Sequence, residues 1–338
     1  AAIMKKLIIF LLILHQYQVV TAAEVNIYSA RKEALIKPLL EQFTKETAIN
    51  VNIVTGEADT LLKRLEVEGR NTPADVLLTV DVARLIRAKE KDLFQQVDSE
   101  LLNKTIPEHY RDAELQWFGL SLRSRIIIYA PDRVKESELD SYIDLADDKW
   151  KKRICVRSSS NVYNQSLVAA MIANYGLEKT ERWATGLVTN FARPPKGGDR
   201  DQIKAVAAGV CDVALVNNYY LAGMLESSQD AEVAAAKKIE LFWPNQDGRG
   251  AHMNVSGAGI LKSAKHKKEA IQLLEFLVSD TAQQWYADTN HEYSVNPAIE
   301  SKSILKNWGK FKADILNLNL LGKHNKDAVL LMDRVGWK

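Results

Sequence analysis

The sequence predicts an α/β protein of two lobes with a cleft between them. Short runs of apolar and β-branched residues alternate along the chain with amphipathic helical runs, a pattern typical of strands joined by crossover helices. About 315 residues remain after an N-terminal signal segment, which is too many for one ordinary core and fits two lobes of about 150 residues. A late glycine-containing strand favours a chain that crosses back from one lobe to the other.

The N-terminus has the composition of a secretory signal peptide. Two lysines precede an apolar run at residues 7–14, and small residues precede Glu24. This order is typical of a charged region, a hydrophobic region and a cleavage site. A run of about eight strictly apolar residues is too short for a membrane anchor, which needs roughly 20. We therefore expect cleavage near Ala23, so that residues 1–23 are removed from a secreted chain that does not itself span the membrane.

The mature chain is expected to be formally neutral. Removing residues 1–23 lowers the number of Lys and Arg side chains from 45 to 43, which equals the 43 Asp and Glu side chains. Nucleic acid or an anionic membrane as the main partner would require a basic excess. The charge balance therefore argues against both.

The first series of elements indicates a parallel sheet. In order, the sequence predicts a strand at 24–29, a helix at 34–44, a strand at 51–56, a helix at 61–68, a buried strand at 74–80 and a helix at 82–91. In the first helix, Leu35, Leu39 and Phe43 recur at helical spacing. Parallel strands are joined by crossover connections, which are usually helices. Strands that alternate with helices therefore predict a parallel sheet.

A strand at Arg125 to Tyr129 is expected to carry the chain into the second lobe. The second series comprises a strand at 154–157, helices at 161–174, 178–189 and 199–208, a strand at 211–216, a return strand at 253–261, and helices at 265–278 and 280–288. We therefore expect an N-lobe of residues 24–122 plus about 247–297, and a C-lobe of residues 123–246 plus about 298–338. Loops at the strand ends then meet in the cleft, which is the expected binding site.

The chain has two cysteines, Cys155 and Cys211. In an oxidising compartment two cysteines in one chain are more often paired than free. Both lie in apolar segments that are predicted to be strands. We expect a disulfide that joins neighbouring elements of one lobe, with two buried thiols as the alternative.

Three tyrosines lie in the first turns of two predicted helices. Tyr163 follows a Ser/Asn run at the end of one strand, and Tyr219 and Tyr220 follow two asparagines at the end of another. Ser and Asn are preferred N-cap residues, so each helix is expected to begin at this point. Adjacent residues of a helix diverge by only about 100°. The hydroxyl groups of the tyrosine pair can therefore reach the same cleft.

Clustered phenols indicate either a hard trivalent cation or an aromatic surface for an organic ligand. A free phenol has a pKa near 10, so it becomes a metal ligand only where a strong Lewis acid such as Fe(III) displaces its proton. Zinc prefers thiolate and imidazole, and calcium prefers carboxylate clusters. Tyrosine rings also stack on small organic solutes. The residue chemistry by itself favours the organic solute over iron.

A secreted hydrolase is a third alternative, but the residues argue against it. The serine run 158–160 lacks the Gly-x-Ser-x-Gly pattern of a nucleophile elbow. His109, His252 and His291 show no metal-ligand spacing and are expected to be structural. Tyr28 projects from the first strand and is expected to belong to the core or to support the site from behind.

Six segments resemble the periplasmic ferric-ion-binding proteins of bacterial iron transporters. They are EVNIYSAR, TPADVLLTVD, WFGLSLRSRIIIY, RSSSNVYNQS, NNYYLAGM and HMNVSGAGI. The resemblance extends in the same order from Glu24 to Pro297. It implies a type II periplasmic-binding fold, with mixed sheets flanked by helices. It also implies a monomer that binds Fe(III) without catalysis and serves an ABC iron permease in the inner membrane. It places Tyr163, Tyr219 and Tyr220 at iron-ligand positions.

Lys32 and Glu33 depart from the family pattern. Many members, notably the cyanobacterial type, carry a His-Tyr pair at that point. The departure implies the subgroup that uses three tyrosines of one lobe plus a synergistic anion such as carbonate. Arg31 and Arg123 occupy the places of the arginines that hold this anion, with Arg125 as a weaker candidate. The alternatives are surface charge or an ion pair between lobes for the arginines, and a carboxylate ligand for Glu33.

Overall fold

A computed structural model describes residues 23–338. The predicted signal segment therefore lies outside the described residues, apart from Ala23. Within the described part of the chain, no helix combines the length and the apolar character that crossing a membrane requires.

Eight strands form a mixed sheet. They are β1 (Glu24–Ser29), β2 (Asn50–Thr55), β3 (Val76–Thr79), β4 (Phe118–Tyr129), β5 (Ile154–Cys155), β6 (Val213–Asn217), β7 (Glu240–Phe242) and β8 (Met253–Ile260). Their order is β2-β1-β3-β8-β4-β6-β5, with β7 paired to β4. β1 runs parallel to β2 and β3, as the alternation of elements predicts, whereas β8 runs antiparallel to β3 and β4.

Helices flank this sheet. They are α1 (Lys37–Thr47), α2 (Ala58–Glu68), α3 (Val82–Glu90), α4 (Glu100–Thr105), α5 (Val162–Tyr175), α6 (Leu177–Thr189), α7 (Asp199–Ala207), α8 (Asn218–Leu225), α9 (Asp230–Ala236), α10 (Lys267–Leu277), α11 (Asp280–Thr289), α12 (Asn319–Lys323) and α13 (Asn325–Arg334). The first helix begins at Lys37 rather than at the predicted Ala34. Pro38 lies in its first turn, where a missing N–H costs no hydrogen bond and the fixed φ favours a helix start.

β4 is longer than the sequence predicts and connects the two halves of the sheet. All of its residues, from Phe118 to Tyr129, are buried. Its first part pairs with β8 and its last part with β6 and β7. Gly257 allows the close approach of β8, because a Cβ atom there would lie 2.5 Å from the carbonyl oxygen of Phe118. The predicted lobe boundary at residues 122–123 falls inside this strand, and the division into lobes stays a prediction.

The predicted disulfide is confirmed. Cys155 of β5 is bonded to Cys211, two residues before β6, with the Cα atoms 5.9 Å apart. Both cysteines are buried in a hydrophobic cluster that includes Ile128 and Val216. The bridge joins β5 to the segment that leads into the parallel strand β6. The alternative of two buried thiols is wrong.

The C-terminal tail ends in two helices, α12 and α13. α12 packs against both α3 and α5, and α13 packs against α5. α3 follows β3 and α5 follows β5. The tail therefore contacts both halves of the chain.

Candidate metal centre

The site is built where β5 and β6 end and α5 and α8 begin. Because β5 and β6 are parallel, their carboxyl ends meet at one edge of the sheet. Asn161 caps α5 by accepting a hydrogen bond from the backbone N–H of Asn164 at 3.3 Å. Asn217 precedes α8 but makes no side-chain cap. Its Nδ2 instead donates to the hydroxyl of Tyr219 at 3.3 Å.

The structure brings the three predicted tyrosines together. The hydroxyl of Tyr219 donates to the hydroxyl of Tyr163 at 3.1 Å. The ring centroids of Tyr219 and Tyr220 lie 4.5 Å apart, and all three side chains are partly buried. Among residues 23–338, no group of three or more His, Cys, Asp or Glu side chains is placed to hold a metal ion. We call Tyr163, Tyr219 and Tyr220 the tyrosine cluster, and its role as a ligand set stays a prediction.

Two phenols of the tyrosine cluster resist ionisation. Burial raises the pKa of Tyr220 to about 12, with a further contribution from the neighbouring Tyr163. Burial, followed by the proximity of the other two phenols, raises the pKa of Tyr219 well above its ordinary value. At neutral pH both phenols are therefore protonated. A cation that binds them as phenolates must displace protons, which only a strong Lewis acid does.

A buried ion pair between Arg125 and Asp199 fixes the two segments that carry the tyrosines. Arg125 Nη1 lies 2.7 Å from Asp199 Oδ2, and Arg125 Nη2 donates to Asn164 Oδ1 at 2.8 Å. The backbone N–H of Asn217 donates to the same Asp199 oxygen at 2.7 Å. Asn164 directly follows one tyrosine, and Asn217 precedes the other two. From the sequence, Arg125 was predicted only as a weaker anion-binding candidate. Asp199 was not predicted at all, and only its position at the start of a helix could have indicated it.

The predicted anion-binding arginines are not surface residues. Arg31 and Arg123 are 2% and 3% exposed, and both bind the carboxylate of Glu292. Arg31 Nη1 lies 2.6 Å from Oε1 and its Nη2 2.9 Å from Oε2, while Arg123 Nη2 lies 2.8 Å from Oε2. Ser121 donates to Oε2 at 2.5 Å. The alternative of surface charge is therefore wrong, an ion pair is present, and an anion-binding role stays a prediction.

Glu292 is ionised despite its burial, and the sequence did not identify it. Burial alone would raise the pKa of Glu292, but Arg31, Arg123 and the hydroxyl of Ser121 lower it to about 2. Two guanidinium groups and one carboxylate leave this arginine cluster (Arg31, Arg123, Glu292 and Ser121) with a net charge of one positive unit. The Cζ atom of Arg123 lies 5.4 Å from the ring centroid of Tyr219. The arginine and tyrosine clusters are therefore direct neighbours.

A cleft of about 420 Å³ lies beside Tyr163. Residues from both halves of the chain line it, including Glu57, Asp81, Arg84 and Arg157. The serine run contributes Ser158 and Ser160 to this lining. The sequence missed Arg157, whose Cζ lies 5.5 Å from the ring centroid of Tyr163 and whose Nη1 lies 3.4 Å from Asp199. The predicted cleft is thus present and adjoins the tyrosine cluster.

The remaining candidates have other partners. Glu33 is exposed, pairs with Lys37 at 3.1 Å and is not among the residues that line the cleft. Tyr28 is buried and donates to the carboxylate of Glu68, as expected of a core residue. His291 lies 3.3 Å from Glu226.

Comparisons with known proteins agree with this structure. Residues 28–284 match the family model of the bacterial extracellular solute-binding proteins. The iron uptake protein A1 of Synechocystis sp. is 47% identical over 315 residues, which cover 93% of this chain and 88% of that protein. The Fe(3+)-binding periplasmic protein of Serratia marcescens is 30% identical, with 92% of this chain and 89% of that protein covered.

Solved structures give the same result. A Trichodesmium protein in complex with iron and citrate has a TM-score of 0.91 and 48% identity, with 94% of this chain and all of that chain covered. The apo ferric ion-binding protein A of Pasteurella haemolytica has a TM-score of 0.87 and 44% identity, with 94% and 98% covered. The predicted two-lobed α/β class is confirmed. The Trichodesmium and Pasteurella haemolytica proteins have similar identities to this chain. These values do not decide between the cyanobacterial type and the three-tyrosine subgroup, so the subgroup prediction continues to depend on Lys32 and Glu33.

Proposed function

The chain belongs to the bacterial extracellular solute-binding protein family, and we propose that it captures a ferric ion in the periplasm and delivers it to an ABC iron permease of the inner membrane. Its relatives in that family are periplasmic iron-binding proteins of iron uptake and not enzymes. The proposal therefore concerns binding and transfer, with no chemical turnover.

The proposed ligands are the phenolates of Tyr163, Tyr219 and Tyr220. The observation that carries the proposal is the 3.1 Å contact between the hydroxyls of Tyr219 and Tyr163, with the ring of Tyr220 directly alongside. Two oxygens at that separation can bind one ion after small movements. Three phenolates also neutralise the three charges of Fe(III), whereas a divalent ion would leave a net negative charge in a partly buried site.

The raised pKa values favour a trivalent ion over weaker Lewis acids. Because burial keeps the protons on Tyr219 and Tyr220, each phenolate bond requires the loss of a proton. Calcium and magnesium prefer carboxylate and carbonyl oxygens. Among residues 23–338, no three Asp, Glu, His or Cys side chains are grouped so as to hold a metal ion. The site is therefore expected to select ferric ion.

Arg31 and Arg123 are the proposed partners of a small synergistic anion such as carbonate. Three tyrosines leave an octahedral iron with open positions, which an exogenous anion or water would fill. The arginine cluster adjoins Tyr219 and has a net positive charge, both of which support this placement. Among the relatives, the Trichodesmium protein is in complex with iron and citrate.

The two proposed lobes, residues 24–122 plus 247–297 and residues 123–246 plus 298–338, would close over this ion as a monomer. β4 and β8 run between the two halves of the sheet. Closure about these strands would cover the cleft beside Tyr163 and shield iron from hydrolysis and reduction.

The deciding experiment is a visible absorption spectrum. Purified protein titrated with ferric citrate is expected to develop a phenolate-to-iron charge-transfer band that the iron-free protein lacks. The matched control is Tyr129→Phe, which removes one oxygen from a tyrosine at the far end of β4. No band, together with thermal stabilisation by a sugar or a polyamine, would show instead that the cleft binds an organic solute.

A further inference from the structure

Glu292 is held rigidly by its backbone. The segment after α11 lies against β4, where Leu122 and Tyr293 exchange two backbone hydrogen bonds of 2.7 and 2.8 Å. On its other side, Asn218 Nδ2 donates to the carbonyl oxygen of His291 at 2.9 Å. Asn218 is the residue before the tyrosine pair. Backbone contacts to β4 and to the first residue of α8 therefore position Glu292.

Glu292 separates two arginines that would otherwise repel each other. Arg31 Nη2 donates to the hydroxyl oxygen of Ser256 at 2.6 Å, and Arg123 Nη2 donates to the same oxygen. The two guanidinium groups are thus close together in a site where both are almost fully buried. The Glu292 carboxylate lies against both of them and removes one of the two positive charges.

A buried donor in this cluster lacks a partner. Among the described residues, Arg123 Nε is buried and makes no hydrogen bond, although the other two nitrogens of that guanidinium are engaged. An unpaired buried donor is costly unless a ligand satisfies it. Arg123 also lies against Tyr219, so an anion that paired with this donor would lie beside a proposed metal ligand.

We propose that Glu292 determines which anion the site accepts, by fixing the net charge of the arginine cluster at one positive unit. The inference rests on the proposed function. Ferric ion with three phenolates is neutral, so carbonate in its singly protonated form, bicarbonate, would balance the one positive unit of the arginine cluster. A doubly charged phosphate exceeds that positive unit by one negative charge, which is unfavourable in a buried site. Glu292 therefore makes the site selective for anions of low charge.

The test compares Glu292→Gln with the parent protein. Gln keeps the shape of the side chain and removes its charge. Iron is supplied as ferric nitrilotriacetate at pH 8, with bicarbonate or phosphate as the added anion, and the charge-transfer band is followed. In the parent, half of the maximal band is expected at lower bicarbonate than phosphate. In Glu292→Gln, the ratio of the two half-saturation concentrations is expected to shift toward phosphate by at least about tenfold. An unchanged ratio would overturn the proposal.

Two further variants keep the result interpretable. Glu226→Gln removes an exposed carboxylate that faces the same segment through His291, and it is expected to leave the ratio unchanged. Glu292→Asp retains the charge and is expected to keep the parent's preference. If Glu226→Gln shifts the ratio as much as Glu292→Gln does, long-range charge explains the effect and the assignment to Glu292 is wrong.

A measurement without iron separates this inference from the proposed function. Phosphate is expected to raise the melting temperature of iron-free Glu292→Gln more than that of the iron-free parent, because two unneutralised guanidinium groups attract it more strongly. Equal shifts would contradict the role of Glu292. Absence of the charge-transfer band in the parent would contradict the tyrosine ligand set instead.

Discussion

The tyrosine cluster and the arginine cluster are neighbours of opposite construction. In the arginine cluster, Glu292 contacts both guanidinium groups and Ser121, and every member is almost fully buried. In the tyrosine cluster, Tyr163, Tyr219 and Tyr220 remain partly exposed, and the hydroxyl of Tyr219 donates to that of Tyr163. The arginine cluster contains its own counter-charge, whereas the tyrosine cluster consists of phenols that, in the proposed function, a cation would deprotonate and bind.

This difference indicates how a binding site can combine a stable fold with reversible binding of its ligand. The satisfied arginine cluster belongs to the folded framework, and its interactions are present before any ligand arrives. The tyrosine cluster is only partly buried, so we expect its hydroxyl groups to contribute less to that framework. Variants of the two clusters should therefore affect different observables, stability for the first and iron affinity for the second.

The largest expected effect is that of Glu292→Leu on stability. Removing the carboxylate leaves two buried guanidinium groups without their partner, which costs about 3–5 kcal/mol when one member of a buried pair is lost. The free energy of unfolding of the iron-free protein in urea measures this. A loss below about 1 kcal/mol would mean that the arginine cluster is not part of the framework.

Acid should remove the same interaction gradually. Because the pKa of Glu292 is lowered to about 2 from the ordinary 4.5, its contribution to stability is complete above pH 4.5 and is lost as pH falls toward 2. Thermal unfolding of iron-free protein across this range should show a steeper decline for the parent than for Glu292→Gln. Parallel curves would contradict the assignment.

Tyr219→Phe should distinguish the roles of the two clusters most clearly, because it should change iron affinity much more than stability. It removes one proposed ligand oxygen, and iron affinity is expected to fall by at least about 100-fold, since loss of an outer partner alone costs about 10- to 100-fold. Stability should change by no more than about 1 kcal/mol, the net contribution of one hydrogen bond. Competition with a chelator and urea unfolding measure the two quantities. Iron binding by the variant should also release one proton fewer, and unchanged affinity and proton release would exclude Tyr219 as a ligand.

The smallest expected effect is that of Glu33→Gln. Glu33 is exposed and pairs only with the exposed Lys37, so both stability and iron affinity are expected to stay near parental values, within about 0.5 kcal/mol for the former. The chelator competition used for Tyr219→Phe checks this. A large loss of affinity would instead support Glu33 as an additional carboxylate ligand after closure.

Local sequence patterns predicted much of the fold and part of the candidate site. The alternation of strands and helices predicted the architecture, and the Asn cap before Tyr163 predicted where α5 begins. The pairing of Cys155 with Cys211 followed from their number and their predicted strands. Each of these properties depends on nearby residues or on composition, and is therefore visible without a structure.

The features that could not be predicted from the sequence depend on contacts between residues that are distant along the chain. Glu292 binds Arg31, which is 261 positions away in the chain, and no local pattern marks it. Asp199 supports the tyrosine segments through Arg125, a contact that only the folded sheet creates. The first half of β4 was missed because its serine, glycine and arginine residues resemble an exposed segment, whereas pairing with β8 buries them all.

The disulfide between Cys155 and Cys211 has a consequence for the kinetics of loading and unloading. It joins the strands that lead into all three proposed ligands, so the donor set stays assembled when the cleft is open. An incoming ion would then be captured in a simple encounter whose rate does not wait for lobe closure. Closure would instead control the lifetime of the loaded protein. Substitutions in β4 and β8, which run between the two halves of the sheet, should therefore change the rate of iron release more than the rate of iron binding.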